Sequence, residues 1–231
     1  CYAKIKDMLG KLYIVATPIG NLKDITFHAI EILKMVDLIL CEDTRVTRRL
    51  LEHNDIYKPT VSFHQHSTPA KIKEIIKQLT TGKNIALVTD AGTPGISDPG
   101  NLLVAKLVVD ALPFAINPIP GPSAVVAALS ISGFPTDKFY FAGFPPHKNK
   151  RQKFFKELAA RGETTVFYES PHRIKKCLNE LQTVLEPTRK LVIGRELTKQ
   201  FETIYRGTIE EILKMDVPEK GEFVIVVQGS R

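Results

Sequence analysis

Short apolar runs alternate along this chain with longer segments of helical spacing. The runs at 12–16, 37–41, 59–63, 85–89 and 114–116 read as strands buried on both faces. Between them, Ile30, Leu33 and Val36 mark one face of a helix from about 26 to 36. Ile72, Ile75, Ile76 and Leu79 mark another, capped by Thr68, opened by Pro69 and stopped by Gly82. A short basic helix carries Arg48, Arg49, Leu50 and Leu51, and Leu102, Leu103 and Leu107 begin a further one. From Ala124, small apolar residues (Val125, Ala127, Ala128, Leu129) predict a helix packed closely on a sheet.

At Gly133-Phe-Pro-Thr136 the pattern breaks, which sets the expected seam between an N-terminal α/β domain at 1–134 and a C-terminal α/β domain at 135–231. The second half carries strand patterns at 139–142, 165–168, 190–193, about 201–205 and 222–227. Helical patterns lie at 151–161, 171–182 and 208–215. Strands alternating with helices predict α/β layers in both halves.

Composition narrows the class. A chain of 231 residues with 43% hydrophobic and 25% charged residues can bury an ample core as a globular protein. Its net charge of +7 leans toward polyanionic partners, although charge governs attraction rather than chemistry. Cys1, Cys41 and Cys177 stand far apart, so neither a disulfide framework nor a cysteine-rich zinc site is expected, and a reduced, cytoplasmic setting fits. His64 and His66 have no third ligand at matching spacing, which argues against a metal. The most apolar window, 102–112, is broken by Lys106 and Asp110 and is too short to cross a bilayer. No signal-peptide pattern is expected from the residues before the first strand, and the sequence opens on Cys1 rather than Met.

The chemistry concentrates where strands end. The stretch Ile85-Ala-Leu-Val-Thr-Asp-Ala-Gly-Thr-Pro-Gly-Ile-Ser-Asp-Pro-Gly100 passes from a buried strand into a loop of glycines, prolines and carboxylates, then into a helix. That layout places a ligand at the carboxyl end of an α/β strand, with glycine allowing close backbone approach. Similar polar clusters follow other strands: Thr17–Asn21, Glu42–Arg45, 120–123, 169–173 and 194–198. Neither a dinucleotide glycine fingerprint, a phosphate-binding P-loop nor a serine-hydrolase elbow is present. The segment 145–156 holds five Lys and Arg residues and no acid, as a solvated face or a phosphate-tracking arm would.

Taken together, Val15-Ala-Thr-Pro-Ile-Gly-Asn-Leu22, Cys41-Glu-Asp-Thr-Arg45, the 89–100 loop, Pro120-Gly-Pro-Ser-Ala124, Phe167-Tyr-Glu-Ser-Pro-His-Arg173, Arg195-Glu-Leu-Thr-Lys199 and Gly221-Glu-Phe-Val224 carry a resemblance. The chain resembles the tetrapyrrole methylase superfamily of S-adenosylmethionine-dependent methyltransferases. Within it, the chain is most similar to the bacterial small-subunit ribosomal RNA 2′-O-methyltransferase I family. The resemblance implies two α/β domains with S-adenosyl-L-methionine in the cleft between them, a homodimer, and ribosomal RNA of the small subunit as partner. It implies that Pro18, Asp90, Ala91, Gly92, Thr93, Gly95, Ile96, Ser123, Ala124, Leu197 and Thr198 line the cofactor. Family members often carry a small C-terminal helical extension, whereas this chain stops at Arg231.

Methyl transfer to a ribose hydroxyl is an in-line displacement, helped by alignment and by a carboxylate that takes the hydroxyl proton. The candidate catalytic residues are Glu42, Asp43 and Glu169. Candidate RNA contacts are Arg45, Lys148, Lys150, Arg151, Ser170, Arg173, Arg195 and Glu196, with arginine preferred where a planar fork meets a phosphate. Two alternatives remain at this level: a carbon methyltransferase acting on a tetrapyrrole intermediate, and an RNA-binding module without turnover.

Overall fold

The computed structural model describes residues 9–98 and 101–230. Pro99 and Gly100 of the glycine-rich loop, and both Cys1 and Arg231, lie outside the described residues. The chain divides into two compact units, 1–123 and 124–231.

In the first unit, β1 (Lys11–Val15), β2 (Leu38–Cys41), β3 (Thr60–Ser62), β4 (Ile85–Leu87) and β5 (Ala115–Ile119) form one sheet in the order β3-β2-β4-β1-β5. Every pairing in it is parallel. Helices α1 (Phe27–Met35), α2 (Thr44–His53), α3 (Pro69–Thr80) and α4 (Asn101–Val109) supply the crossovers. Alternate strand residues divide between two cores, as a pleated sheet covered on both faces requires. Tyr13, Val15, Ile39 and Ala86 meet Ala29 and Leu33 of α1 and Leu51 of α2 on one side. Leu12, Leu40, Ile85 and Leu87 meet Ile75 and Leu79 of α3 and Leu103 and Leu107 of α4 on the other.

The edge strand and the short basic helix of this unit outrun their expected limits. The strand expected to end at 116 continues through Pro118 to Ile119, opposite Ile14 and Val15. Proline is tolerated there because β5 is the sheet edge, where a missing N–H breaks no ladder bond. The short basic helix begins at Thr44, since the Asp43 carboxylate accepts the Arg45 N–H and caps it.

In the second unit, β6 (Phe139–Phe141), β7 (Thr164–Glu169), β8 (Lys190–Arg195), β9 (Thr203–Thr208) and β10 (Phe223–Val227) run in the order β6-β7-β10-β8-β9. Here β6 and β7 are parallel while the β7–β10, β10–β8 and β8–β9 pairings are antiparallel. Helices α6 (Arg151–Ala160), α7 (Ile174–Val184) and α8 (Ile209–Leu213) bury Phe155, Leu158, Cys177, Leu181 and Ile212 against Phe167, Ile193 and Ile225 of the sheet. Helix α5 (Ala124–Ser130) packs across β7, β8 and β10. The division before Ala124 therefore precedes the seam expected at 134/135, and Gly133 (φ +73°) is the turn that leaves α5.

Candidate functional site

A parallel sheet brings all its carboxyl ends to one edge. In this order β4 lies between β2 and β1, so the chain leaving β1 passes β4 to reach β2, and the chain leaving β4 passes β1 to reach β5. The two connections depart in opposite directions, which opens a crevice above β1 and β4. Both loops that flank it are Gly/Pro loops. They are tied together: Thr17 N donates to Gly92 O at 2.9 Å, and Gly92 N donates to Thr17 O at 3.1 Å. The Thr17 hydroxyl donates to Thr89 O at 3.0 Å.

Two glycines are required here for different reasons. Gly92 adopts φ +84°, and a Cβ there would lie 3.7 Å from Ile19, so its requirement is conformational. At Gly121, after β5, a Cβ would stand 2.9 Å from the Ala16 Cβ, so its requirement is spatial. Pro18 follows the bridge, and Ser123 and Ala124 stand at the start of α5.

Carboxylates gather at the same strand ends. A cavity of about 470 Å³ is lined by Glu42, Gln65, Gly95, Ser97, Asp98 and Asn101. Asp90 Oδ1 accepts the Asp43 N–H at 3.1 Å, so the loop after β4 holds the loop after β2 in place. Burial, then the neighbouring Asp90 charge, raises the Glu42 carboxyl above its ordinary range. Burial also raises Asp90 itself. Asp98 is pushed up to about 6, by burial first and then by Glu42 and Asp90. The Thr89 hydroxyl helps to hold the negative charge of both Glu42 and Asp98. That hydroxyl is itself fully buried.

Asp43 behaves in the opposite way. Arg45 Nη2 and its backbone N–H reach the Asp43 carboxylate at 2.6 and 2.8 Å, and these bonds hold its pKa down to about 2. It caps α2 and is a weak base. The Arg45 side chain, folded onto it, is otherwise exposed.

The site residues of the second unit form another set. Glu169, at the end of β7, is 2% exposed and accepts from Arg151 Nη2 at 2.9 Å, Arg173 Nη2 at 2.9 Å and Ser170 N at 2.8 Å. A carboxylate so enclosed holds structure together rather than accepting a substrate proton. Arg151, expected on an exposed arm, is 3% exposed and also bonds Glu180 at 2.7 Å. The reason is helical periodicity: Arg151 shares the inward face of α6 with Phe155 and Leu158. Lys148 and Lys150 remain exposed.

Ser170 makes no cap bond; its hydroxyl accepts from Arg173 Nε at 3.0 Å. Arg195 donates to the carbonyls of Lys220 (2.8 Å) and Phe201 (3.2 Å), so much of its fork is engaged in its own unit. Glu196 (φ +53°) accepts from Lys199 Nζ at 2.9 Å, Leu197 is buried, and Thr198 N (φ +66°) donates to Glu202 at 2.7 Å. The His64 and His66 rings stand 6.0 Å apart, and the described residues hold no group of three side chains suited to a metal ion. No helix among the described residues is long and apolar enough to cross a membrane.

From sequence, Asp98 counts among the carboxylates of the loop without an assigned role, and Gln65, Ser97 and Asn101 are assigned none. Asp98 could have been read from its place in the same glycine-rich loop, but its burial beside Glu42 could not.

Comparison with known proteins places this geometry. The profile of the family described as Tetrapyrrole (Corrin/Porphyrin) Methylases matches residues 11–213. A Synechocystis sp. protein named Ribosomal RNA small subunit methyltransferase I is 47% identical, over 96% of this chain and 80% of its own length. The Bacillus subtilis protein of the same name is 45% identical, over 97% and 77%. Among solved structures, the methyltransferase CobJ aligns with a TM-score of 0.72 at 18% identity, over 96% of this chain and 95% of that one. Uroporphyrin-III-C-methyltransferase from Thermus thermophilus aligns at 0.67 and 18%, over 95% and 94%. At that identity the likeness to these structures is one of fold.

Proposed function

Since the chain belongs to the tetrapyrrole (corrin/porphyrin) methylase family and, within it, to the ribosomal RNA small subunit methyltransferase I group, we propose that it methylates the ribose 2′-hydroxyl of a cytidine in small-subunit ribosomal RNA. S-adenosylmethionine is the methyl donor. The observation that carries the reading is the 45–47% identity over nearly the whole chain to proteins bearing that name.

The first unit suits such a donor on its own chemistry. Its loops offer carboxylates for an amine and for ribose hydroxyls (Asp90, Asp98), a left-handed bend at Gly92 and Gly95 that brings the backbone close, and the exposed Ile96 as apolar surface. The buried Thr89 hydroxyl stands among those carboxylates and favours the charged form of Glu42 and Asp98. Pro18, the Asp90–Ile96 loop and Ser123 would hold the donor. When bound, the donor supplies an electrophilic methyl group on a sulfonium.

What the chain adds is position and proton transfer. Glu42 is the candidate base: it lines the cavity, and its raised pKa brings it closer to the working pH than Asp43 held near 2. Glu169 serves the second unit's structure. Of the candidate RNA contacts, Arg45, Lys148 and Lys150 carry exposed side chains for phosphates. Assembly as a homodimer in the cytoplasm belongs to the same proposal, and light scattering on the purified protein tests the dimer.

The deciding experiment supplies labelled S-adenosylmethionine with either small ribosomal subunits or a uroporphyrinogen-type substrate, followed by mass mapping of ribose methylation. Label on a cytidine ribose is expected; label on the tetrapyrrole alone would overturn the reading. Asp90→Arg is expected to abolish donor binding, and normal affinity of that variant in a calorimetric titration would show the donor site to be wrongly assigned.

A further inference from the structure

We propose that the loop from Phe144 to Lys150 is a preformed platform for a single-stranded segment of ribosomal RNA, with Phe144 stacking on a base and Lys148 and Lys150 holding phosphates. The inference rests on the RNA-methylating reading and specifies where the substrate is gripped.

The base of this loop is fixed by the buried network described above. Arg173 Nη1 donates to Pro145 O at 3.0 Å, and Arg151 Nη1 donates to Pro146 O at 3.2 Å. Both guanidinium groups are in turn held by Glu169, and Arg151 also by Glu180. Consecutive prolines at the anchored positions have φ already restricted. Above that base, His147, Lys148, Asn149 and Lys150 are all exposed, and no acidic residue occurs from Phe144 to Lys156.

Lys150 adopts φ +68°. Glycine or asparagine would occupy that conformation more readily, so a cation sits at the cap of α6 where the backbone favours another residue. On the other flank, Phe144 is 51% exposed. Its ring packs 5.3 Å from Tyr168, which in turn meets Phe141 edge-on at 5.2 Å. A supported, exposed aromatic in the same loop as exposed cations is the combination by which proteins bind single-stranded nucleic acid, through stacking and phosphate attraction. Because the loop is ordered in advance, little further ordering cost falls on binding.

The test is fluorescence anisotropy of fluorescein-labelled oligocytidylate titrated with the full chain at several salt concentrations. The Lys148→Ala/Lys150→Ala protein is expected to bind more weakly, with a salt slope shallower by about 1.4, since each single-strand phosphate contact contributes about 0.7. Phe144→Ala is expected to bind roughly 5- to 100-fold more weakly with the slope unchanged, because stacking releases no counterions. Lys73→Ala/Lys77→Ala on α3 removes the same charge elsewhere and should alter neither quantity.

Loop variants that bind as the wild type does overturn the platform while leaving ribosomal RNA methylation by the wild type intact. So does an α3 variant whose slope falls as far as the loop variant's, or a loop variant that loses S-adenosylmethionine binding as well. A wild-type protein that binds no RNA and methylates only a tetrapyrrole overturns both readings.

Discussion

Burial drives the Asp98 carboxyl to about 6, and the nearby Glu42 and Asp90 charges add to the shift. A group whose folded pKa exceeds its unfolded value of about 4 keeps its proton longer in the folded chain. The folded state is therefore favoured by this group at low pH and loses that advantage as pH climbs from about 4 through about 6. Allowing for solvent on the open side of the cavity, the loss amounts to about 1–2 kcal/mol. Urea midpoints at pH 4.5 and 7 measure it: Asp98→Asn should flatten the dependence and be the more stable protein at pH 7. Glu42 lies beside it, with a shift of the same sign. As the proposed base, Glu42→Gln should lower kcat by about 10²–10⁴. Donor affinity should be nearly unchanged, as single-turnover methylation and calorimetry can establish.

Elements set how much each substitution costs. The turn after β5 presses Gly121 against the end of β1, and a methyl group there meets Ala16 at 2.9 Å. Gly121→Ala should destabilise the first unit by about 1–3 kcal/mol, read by thermal denaturation. In the second unit, β7 delivers Glu169 between α6 and the 3₁₀ turn Pro171–Arg173. Glu169→Leu leaves Arg151 and Arg173 without their shared counter-charge and should cost about 3–5 kcal/mol in denaturant unfolding. Much of this level was legible from local pattern. The Thr68 cap and Pro69 opening of α3 stand where periodicity and capping residues put them. Helical periodicity also accounts for the inward Arg151, but a charged residue at a helix start reads as solvated until its buried partners are known.

At the scale of the molecule, each unit has a core of its own. Phe155, Phe167, Ile193 and Ile225 belong to one within 124–231, and the two cores of the parallel sheet lie within the first unit. Residues 124–231 produced alone should accordingly unfold in a cooperative transition by circular dichroism, since a unit of this size can fold around a single core. The net charge of +7 acts over the whole surface, so association with RNA should slow steeply as salt is added in stopped-flow measurements.

The succession of strands and helices, the Gly/Pro loops at the strand ends and the family to which the chain belongs were all determined by the sequence alone. Periodicity, caps and turn residues are local properties, and motifs are strings. Only the tertiary structure decided that Asp90 holds the Asp43 amide 47 residues away, and that Arg151 turns inward to a carboxylate 18 residues along. It likewise decided that the Asp98 carboxyl is pushed up to about 6. The physical reason is common to all of these: the behaviour of a charged group depends on burial and on partners that folding brings beside it from distant parts of the chain.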